Sequence, residues 1–401
     1  MLKRLCVVGL VLGTAACFHA PSQAEIQARV AAMSKPGSTS SDPKDKAVID
    51  AVDKGDAAAL KAALAGGGKW SARKNGNTAL HLAAAYGYPE LTKILLDGGA
   101  DPNVTQDGAA KQTPLMSAVS SGQIETAKLL LAAKANVNAG DGISQNQAIF
   151  YAVMGGCKVE MLKTLLGAGA DPKAAMHLPN GVTGPQIIHM IASATKTGDE
   201  QIEVWANPQL RAAIPANAPF LTQKASDFST RGECAAVILD AGVAADTEWN
   251  GAVPLTMASA RGCTDVIREL IKRKADVNAR HNPGSTHGMK NTRLALAVTG
   301  GSKNNSLTSG TPLMFTASEG HLEAAQALLD AGADPNVLLE WEEYETSYDV
   351  SYGAQGTTTT ITRKTTTVTH TAVSIAALHE HKALVDLLRS KGGLGPKEIK
   401  K

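Results

Sequence analysis

A single pattern of letters returns along this chain every 34 or 35 residues, and that period constrains the fold more tightly than length or composition. NTALHLAAAYGYPELTKILLDGGADPN at 77–103 aligns with QTPLMSAVSSGQIETAKLLLAAKANVN at 112–138 and with NQAIFYAVMGGCKVEMLKTLLGAGADP at 146–172. Thr78 and Thr113 are 35 residues apart, and Thr113 and Gln147 are 34 apart. The pattern recurs as VPLTMASARGCTDVIRELIKRKADVN at 253–278 and as GTPLMFTASEGHLEAAQALLDAGADPN at 310–336. A chain of 401 residues could otherwise form two or three ordinary domains. A fixed period of this size predicts an elongated array of like units instead.

Within one unit each letter has a physical task. Thr78, or Thr-Pro at 113–114, caps and opens a short helix. Leu80 and residues 82–85 pack inward, and Gly87 ends the helix where φ > 0 is needed. A second helix follows over about 90–96, with Leu91, Ile94 and Leu95 at three- and four-residue spacing as one buried stripe. Gly98, Gly99, Ala100 and Asp101 then turn the chain out into an extended finger. One such pair cannot bury its apolar face alone, so stability comes from stacking on neighbours. An aromatic content of 4% fits packing by small residues rather than a large aromatic core.

Thr78-Ala79-Leu80-His81-Leu82-Ala83-Ala84, Thr113-Pro114-Leu115, Thr311-Pro312-Leu313 and the turns Gly99-Ala100-Asp101-Pro102-Asn103 and Gly332-Ala333-Asp334-Pro335-Asn336 carry a resemblance to ankyrin-repeat proteins. The resemblance covers roughly 46–391 and implies an all-α ankyrin-repeat solenoid of about seven or eight helix-turn-helix units. It implies protein binding as the general mode of action and says almost nothing about the ligand. Residues 47–64 read as a first helical pair. Residues 372–388 read as the last, with Glu380, Lys382, Asp386 and Arg389 as its solvent-facing cap.

The array departs from its own rule in three places. Residues 193–231 separate the two helices of one unit and carry Trp205, Phe220, Phe228 and three prolines. They are read as packing on the array or as a binding lobe. Residues 279–309 stretch the fifth finger, and 291–297 echo 77–83, as a degenerate half-repeat or an extended hairpin. Residues 337–370 hold two β-prone runs, WEEYETSYDVSY and TTTTITRKTTTVTH, around Gly353-Ala354-Gln355-Gly356, which is a hairpin signal. Tyr344, Tyr348, Val350 and Tyr352 share one parity and hence one face. Glu342, Glu343, Glu345 and Asp349 could oppose Arg363, Lys364 and His370 across the pair. An isolated two-stranded ribbon is marginal in water, so this one should lie on the array, on another copy or on a partner.

The ends of the chain bear on location. Lys3 and Arg4 precede an apolar stretch from Leu5 to about Ala16, the layout of a bacterial secretory signal at 1–24. Two cleavage readings stay open. Ser22-Gln23-Ala24 before Glu25 would release a soluble protein, whereas Thr14-Ala15-Ala16-Cys17 resembles a lipobox (signal 1–16) that would lipidate Cys17. Thr14 stands where that pattern usually has leucine. Either way the periplasm is expected, with no integral membrane span. Residues 25–45 are read as a flexible linker, with 34–46 as a Ser-, Pro- and Lys-rich tether, and 392–401 as a polar tail. Of Cys157, Cys234 and Cys263, a Cys234–Cys263 disulfide is conceivable, and three small buried apolar residues is the plainer reading.

The column of His81 holds Met116, Phe150, His189, Thr256, Met314 and Ser374, and a catalytic or metal role cannot rest on positions that accept Met and Phe. In ankyrin repeats a histidine here commonly hydrogen-bonds backbone between neighbouring units, which the resemblance carries to His81 and His189. His379 and His381, two apart, would point to different faces of a helix, and His281 and His287 have no Cys or carboxylate cluster beside them. Asp-Pro-Asn at Asp101 and Asp334 offers one carboxylate per turn, far from a calcium set. No phosphate loop or nucleophile elbow appears, so no catalytic residue, metal or cofactor is assigned. A net charge of +2 from 39 basic and 37 acidic residues gives no reason to expect nucleic acid.

The expectation is therefore a monomeric protein-binding module of the envelope. Its contacts are expected from Trp341, Tyr344, Tyr348, Tyr352, Arg363 and Lys364 on the long hairpin, with Gln106, Asp107 and Lys111 on a shorter finger. A dedicated inhibitor or immunity partner of a toxin or wall-cleaving enzyme is the alternative. An enzyme would need its site within 193–231.

Overall fold

The computed structural model describes residues 37–108, 110–142, 145–154, 157–177, 183–193, 230–249, 251–280, 309–353 and 356–399. Among them the chain makes eight helix pairs. The first four are α1 (Pro43–Lys54) with α2 (Ala57–Ala65), α3 (Ala79–Tyr86) with α4 (Pro89–Asp97), α5 (Pro114–Ser120) with α6 (Ile124–Ala132), and α7 (Ala148–Met154) with α8 (Val159–Gly167). The others are α9 (Ile187–Ser193) with α10 (Arg231–Asp240), α11 (Pro254–Ala260) with α12 (Thr264–Lys272), α13 (Pro312–Glu319) with α14 (Leu322–Asp330), and α15 (Ala372–Leu378) with α16 (Lys382–Ser390). First helices pack on first helices and second on second from one end of the chain to the other, which makes two continuous layers.

The layers follow from what each helix can bury. In α3 the run from Ala79 to Ala84 is buried entirely, because it lies between two neighbouring first helices and its own partner. Alanine lets the backbones approach, and each buried leucine such as Leu80 adds roughly 1.5–3 kcal/mol. In α4 only Leu91, Thr92 and Leu95 are buried, so a one-sided stripe suffices for the second layer. Thr78 caps α3 through a reciprocal box with His81, Thr113 caps α5 through the Met116 amide, and Thr371 caps α15 through Ser374. A left-handed residue ends every second helix: Gly99 and Gly332 at φ 93 and 90°, and at two units a lysine, Lys134 and Lys274, at 65 and 63°.

Among the described residues three antiparallel pairs decorate the fingers: β1 (Arg73–Lys74) with β2 (Asn77–Thr78), β3 (Ala175–His177) with β4 (Thr183–Gln186), and β5 (Leu339–Gly353) with β6 (Gly356–His370). The last is far longer than the others and leaves the array between units seven and eight.

Two expectations about the ends need correction. The stretch read as a tether is bound from Gly37 onward. Ser38 and Ser40 exchange backbone bonds with Gly76 and Arg73, Thr39 Oγ1 accepts from the Asn75 amide at 3.0 Å, and α1 begins at Pro43 under an Asp42 cap. Its Ser and Thr residues serve the first finger as hydrogen-bonding partners. The polar tail also closes the last unit: Leu394 bonds both Asn336 and Thr371, and Arg389 pairs with Glu398. Glu380, Lys382, Asp386 and Arg389 are exposed, as a terminal cap requires.

Units six and seven meet directly, with Asn278 Oδ1 accepting from the Asp334 amide at 2.9 Å and Arg268 paired with Glu323 at 2.9 Å. The echo at 291–297 itself, and His281 and His287, lie outside the described residues, as do the signal with Cys17 and most of the 193–231 insertion. That insertion does separate the two helices of one unit, since α9 and α10 pack together on either side of it.

Candidate functional site

His81 sits where the column comparison put it. The amide and hydroxyl of Thr78 lie 3.3 and 2.8 Å from Nδ1, so Nδ1 accepts and Nε2–H donates to the Gln112 carbonyl of the next unit at 2.9 Å. His189 makes the equivalent bond to the Thr247 carbonyl at 2.9 Å, with its ring edge against Trp249. Both imidazoles are buried, and burial lowers each pKa from 6.5 to about 4, against the smaller opposing pull of the backbone carbonyls. They are neutral at physiological pH and tie finger to helix.

A polar network that the sequence reading did not single out continues from there. Gln112 Nε2 donates to the Tyr151 hydroxyl at 3.0 Å, and that hydroxyl donates to Asp141 at 2.7 Å. Burial first, and the Asp141 carboxylate second, hold Tyr151 well above the usual phenol range. The arrangement locks three consecutive fingers and offers no exposed acid, base or nucleophile.

The finger tips carry a second ladder. Asn103 Oδ1 accepts from the Asn136 amide, Asn138 Oδ1 from the Asp171 amide at 3.0 Å, and Asn336 Oδ1 from the Leu394 amide at 2.8 Å. Nδ2 of Asn138 and of Asn336 reaches the Gly169 and Gly392 carbonyls at 2.9 and 3.1 Å. The Asp two residues earlier caps its own turn, Asp101 to Asn103 N and Asp334 to Asn336 N at 2.8 Å each. Asp-Pro-Asn is therefore a turn and a rung, not a cation site. Among the described residues no group of three or more His, Cys, Asp or Glu side chains could hold a metal, and no helix is long and apolar enough to cross a membrane.

The shorter-finger contacts expected from sequence divide. Gln106 donates to Asn77 at 2.7 Å, and Asp107 pairs with Arg73 at 3.1 Å and accepts from Ser38, so both side chains are engaged in joining fingers. Lys111 is exposed.

On the long hairpin the register runs without a shift from Leu339↔His370 to Gly353↔Gly356. Trp341 stands opposite Val368, Tyr344 opposite Thr365, Tyr348 opposite Ile361 and Tyr352 opposite Thr357. Of the charge pairs expected across the strands, only Glu345↔Lys364 is in register. Glu342, Glu343 and Asp349 face Thr367, Thr366 and Thr360, Arg363 faces Thr346, and His370 faces Leu339. Hairpin register is set by loop length and by the pattern along the whole strand, so opposite charges need not fall opposite each other.

Two further expectations are overturned. Cys157 and Cys234 form a disulfide, Cα atoms 6.3 Å apart, which overturns the plainer reading of three separate small apolar residues as well as the Cys234–Cys263 pairing; of the three, Cys263 is the buried residue outside the bond. Cys234, in the first turn of α10, faces back to the inter-helix turn of unit four, whereas Cys263 faces Arg231, whose Nη1 donates to Sγ at 2.9 Å. His379 and His381 do not sit on one helix. They cap the end of α15 and the start of α16, and their rings stack at 6.2 Å and 9°. His381 Nε2 bonds the Ser318 carbonyl at 3.1 Å and His321 Nε2 the Ala260 carbonyl at 3.2 Å, one turn-to-turn bond used twice. Each ring lies over a glycine of the preceding unit. A Cβ on Gly320 or Gly262 would come within 2.7 Å of it.

Comparison with known proteins agrees with this geometry. Models of ankyrin repeats match residues 27–176, as three overlapping copies, and single ankyrin repeats match 250–282 and 310–338, together more than half of the chain. A crystal structure of the human ASB11 ankyrin repeat domain is similar at 19% identity and a TM-score of 0.48, covering 79% of this chain and 99% of that one. Among curated proteins nothing matches.

Proposed function

We propose that this chain, which belongs to the ankyrin-repeat proteins, binds another protein in the bacterial cell envelope and uses its long hairpin as the principal contact. Ankyrin repeats are generic protein-interaction modules, so binding is the premise. Location and contact surface are what is added.

The observation that carries the reading is where the hairpin stands. Units seven and eight already close beneath it, through Asn336 to Leu394 and Gly392, His381 to Ser318 at 3.1 Å and Lys391 to Asp330 at 2.9 Å. Strands β5 and β6 are therefore surplus to the stack. Their base is built into it, with His370 buried and Leu339 packed against the core. A ribbon of two 15-residue strands costs ordering entropy that a two-residue turn would avoid, and tyrosine and tryptophan in such a ribbon suit a protein interface. Lys111, exposed on the second finger, is assigned a further polar contact of the same partner. The apolar stretch behind Lys3 and Arg4, with either Glu25 or a lipidated Cys17 as mature N-terminus, supports export, and a Cys157–Cys234 disulfide suits an oxidising compartment.

The test is affinity capture from envelope extracts with the full chain and with a chain in which 341–368 is replaced by Asn-Gly. The full chain is expected to enrich a defined protein that the shortened chain, equally folded by circular dichroism, recovers weakly. Equal recovery by both would remove the hairpin from the account, and an uncleaved precursor in the cytoplasm would remove the location.

A further inference from the structure

Unit five is the one whose helices are parted by a long insertion, and its second helix is fastened from outside. The chain runs through 194–230 between α9 and α10, and closing a connection of that length costs more entropy than the short turn of the other units. Four contacts at the start of α10 replace that turn. Toward unit four, Thr230 Oγ1 donates to the Cys157 carbonyl at 3.0 Å and Cys234 is bonded to Cys157 across 77 residues of sequence. Toward unit six, the Gly232 amide donates to Asp265 Oδ2 at 2.9 Å, and the buried Arg231 donates to Cys263 Sγ at 2.9 Å. Cys157 itself occupies a left-handed position, φ 52°, where the equivalent residues are Gly55, Gly87, Gly122, Gly262 and Gly320 in other units and Glu380, at φ 62°, in the last. A side chain is unfavourable there, and this one is the cross-link.

We propose that Cys157–Cys234 is a clamp set by the redox state of the compartment in which the chain folds. Oxidised, it couples the units on either side of the split into one cooperative array. Left reduced, it allows α10 to leave its place and divides the array into a block before it and a block after it. The reasoning is that each unit of a stacked array touches only its neighbours, so cooperativity passes through every joint or stops there. In the second layer α10 is the element between α8 and α12.

Closing the clamp is a two-electron oxidation. Two cysteine thiols lose two protons and two electrons to a disulfide oxidant, through a mixed disulfide, and the oxidant leaves as two thiols. Both sulfurs end up buried, with Cys157 at 1% and Cys234 at 0% exposure, so the bond is protected once α10 has seated. The clamp thereby records the conditions of folding instead of following later changes. It requires neither the hairpin nor any partner, so its failure and the failure of the binding proposal are separate results.

The test folds the full chain in oxidised glutathione and, separately, in dithiothreitol, then measures peptide-level hydrogen exchange and urea unfolding. Differential alkylation should find 157 and 234 linked in the oxidised protein and Cys263 labelled only after denaturation. Reduction should speed exchange of 231–240 at least tenfold, leave α4 and α14 unchanged and split one unfolding transition into two. Cys157→Gly should reproduce the reduced behaviour without reductant, since glycine suits φ 52°, while Lys93→Ala, on the exposed face of α4 and remote from the joint, should behave as the oxidised parent. Should Cys157→Gly fail to fold, the reduced parent protein decides. Exchange of 231–240 within twofold in both redox states would overturn the clamp, as would free thiols at 157 and 234 after oxidative folding, or complete unfolding of both blocks on reduction.

Discussion

Lowering the pH should destabilise this fold through two imidazoles before most carboxylates respond. His81 and His189 are buried, neutral and bonded to a carbonyl of the following unit, and each has a pKa of about 4 against 6.5 when unfolded. A folded pKa below the unfolded one means that the unfolded chain takes up more protons between those values. Stability is therefore full above pH 6.5 and is lost as pH falls toward 4. At pH 4.5 the difference corresponds to about 2.5 kcal/mol for each histidine, or about 5 kcal/mol for the two, which are far enough apart to add. Protonation also takes from Thr78 the Nδ1 acceptor that completes its capping box. The measurement is urea unfolding at pH 7.5 and 4.5 on the parent chain and on the His81→Met/His189→Met variant, methionine being the residue at 116 and 314 in the same column. The variant should be less stable at pH 7.5, having lost the bonds of His81 to Thr78 and Gln112 and of His189 to Thr247, yet should lose about 5 kcal/mol less on acidification. An equal loss in both proteins would refute the buried, neutral assignment.

Two smaller perturbations follow from the ladder and turn positions. Replacing Lys134 and Lys274 by glycine should stabilise the array by about 0.5–1 kcal/mol each, since both hold φ above 60° without the freedom that glycine has at the same place in other units, and the denaturation midpoint reads it. Asn138→Ala should cost about 1–2 kcal/mol by removing both rungs to the next finger, with faster amide exchange at Asp171 as the local signature.

The fold was legible because each unit repeats its reasons. Thr78 and Thr113 announced caps, Gly87 a left-handed stop at φ 73°, and the Leu91–Leu95 stripe a one-sided helix, and each stands as expected. The His81 column was informative for the same reason: comparison between units separated a structural histidine from a catalytic one. What the letters did not disclose depends on geometry between units. Cys234 could have faced Cys263 or Cys157, and only the direction of the first turn of α10 decides. The asparagine ladder was visible as a recurring D-x-N, but its rungs join residues about 33 positions apart and need the stack to exist. Gln106 and Asp107 looked like free polar contacts because their partners, Asn77, Arg73 and Ser38, lie in another finger and in a segment read as a tether.

The claim that the surplus hairpin is the contact surface is tested most directly by site-specific photo-crosslinking in the envelope. A photoreactive residue is placed in turn at Tyr348 on β5, at Lys111 on the second finger, and at Lys93, which projects into solvent from α4. The account predicts one protein adduct of the same mass from Tyr348, with a weaker one from Lys111 and none from Lys93. An adduct from Lys93 with none from Tyr348 would contradict it.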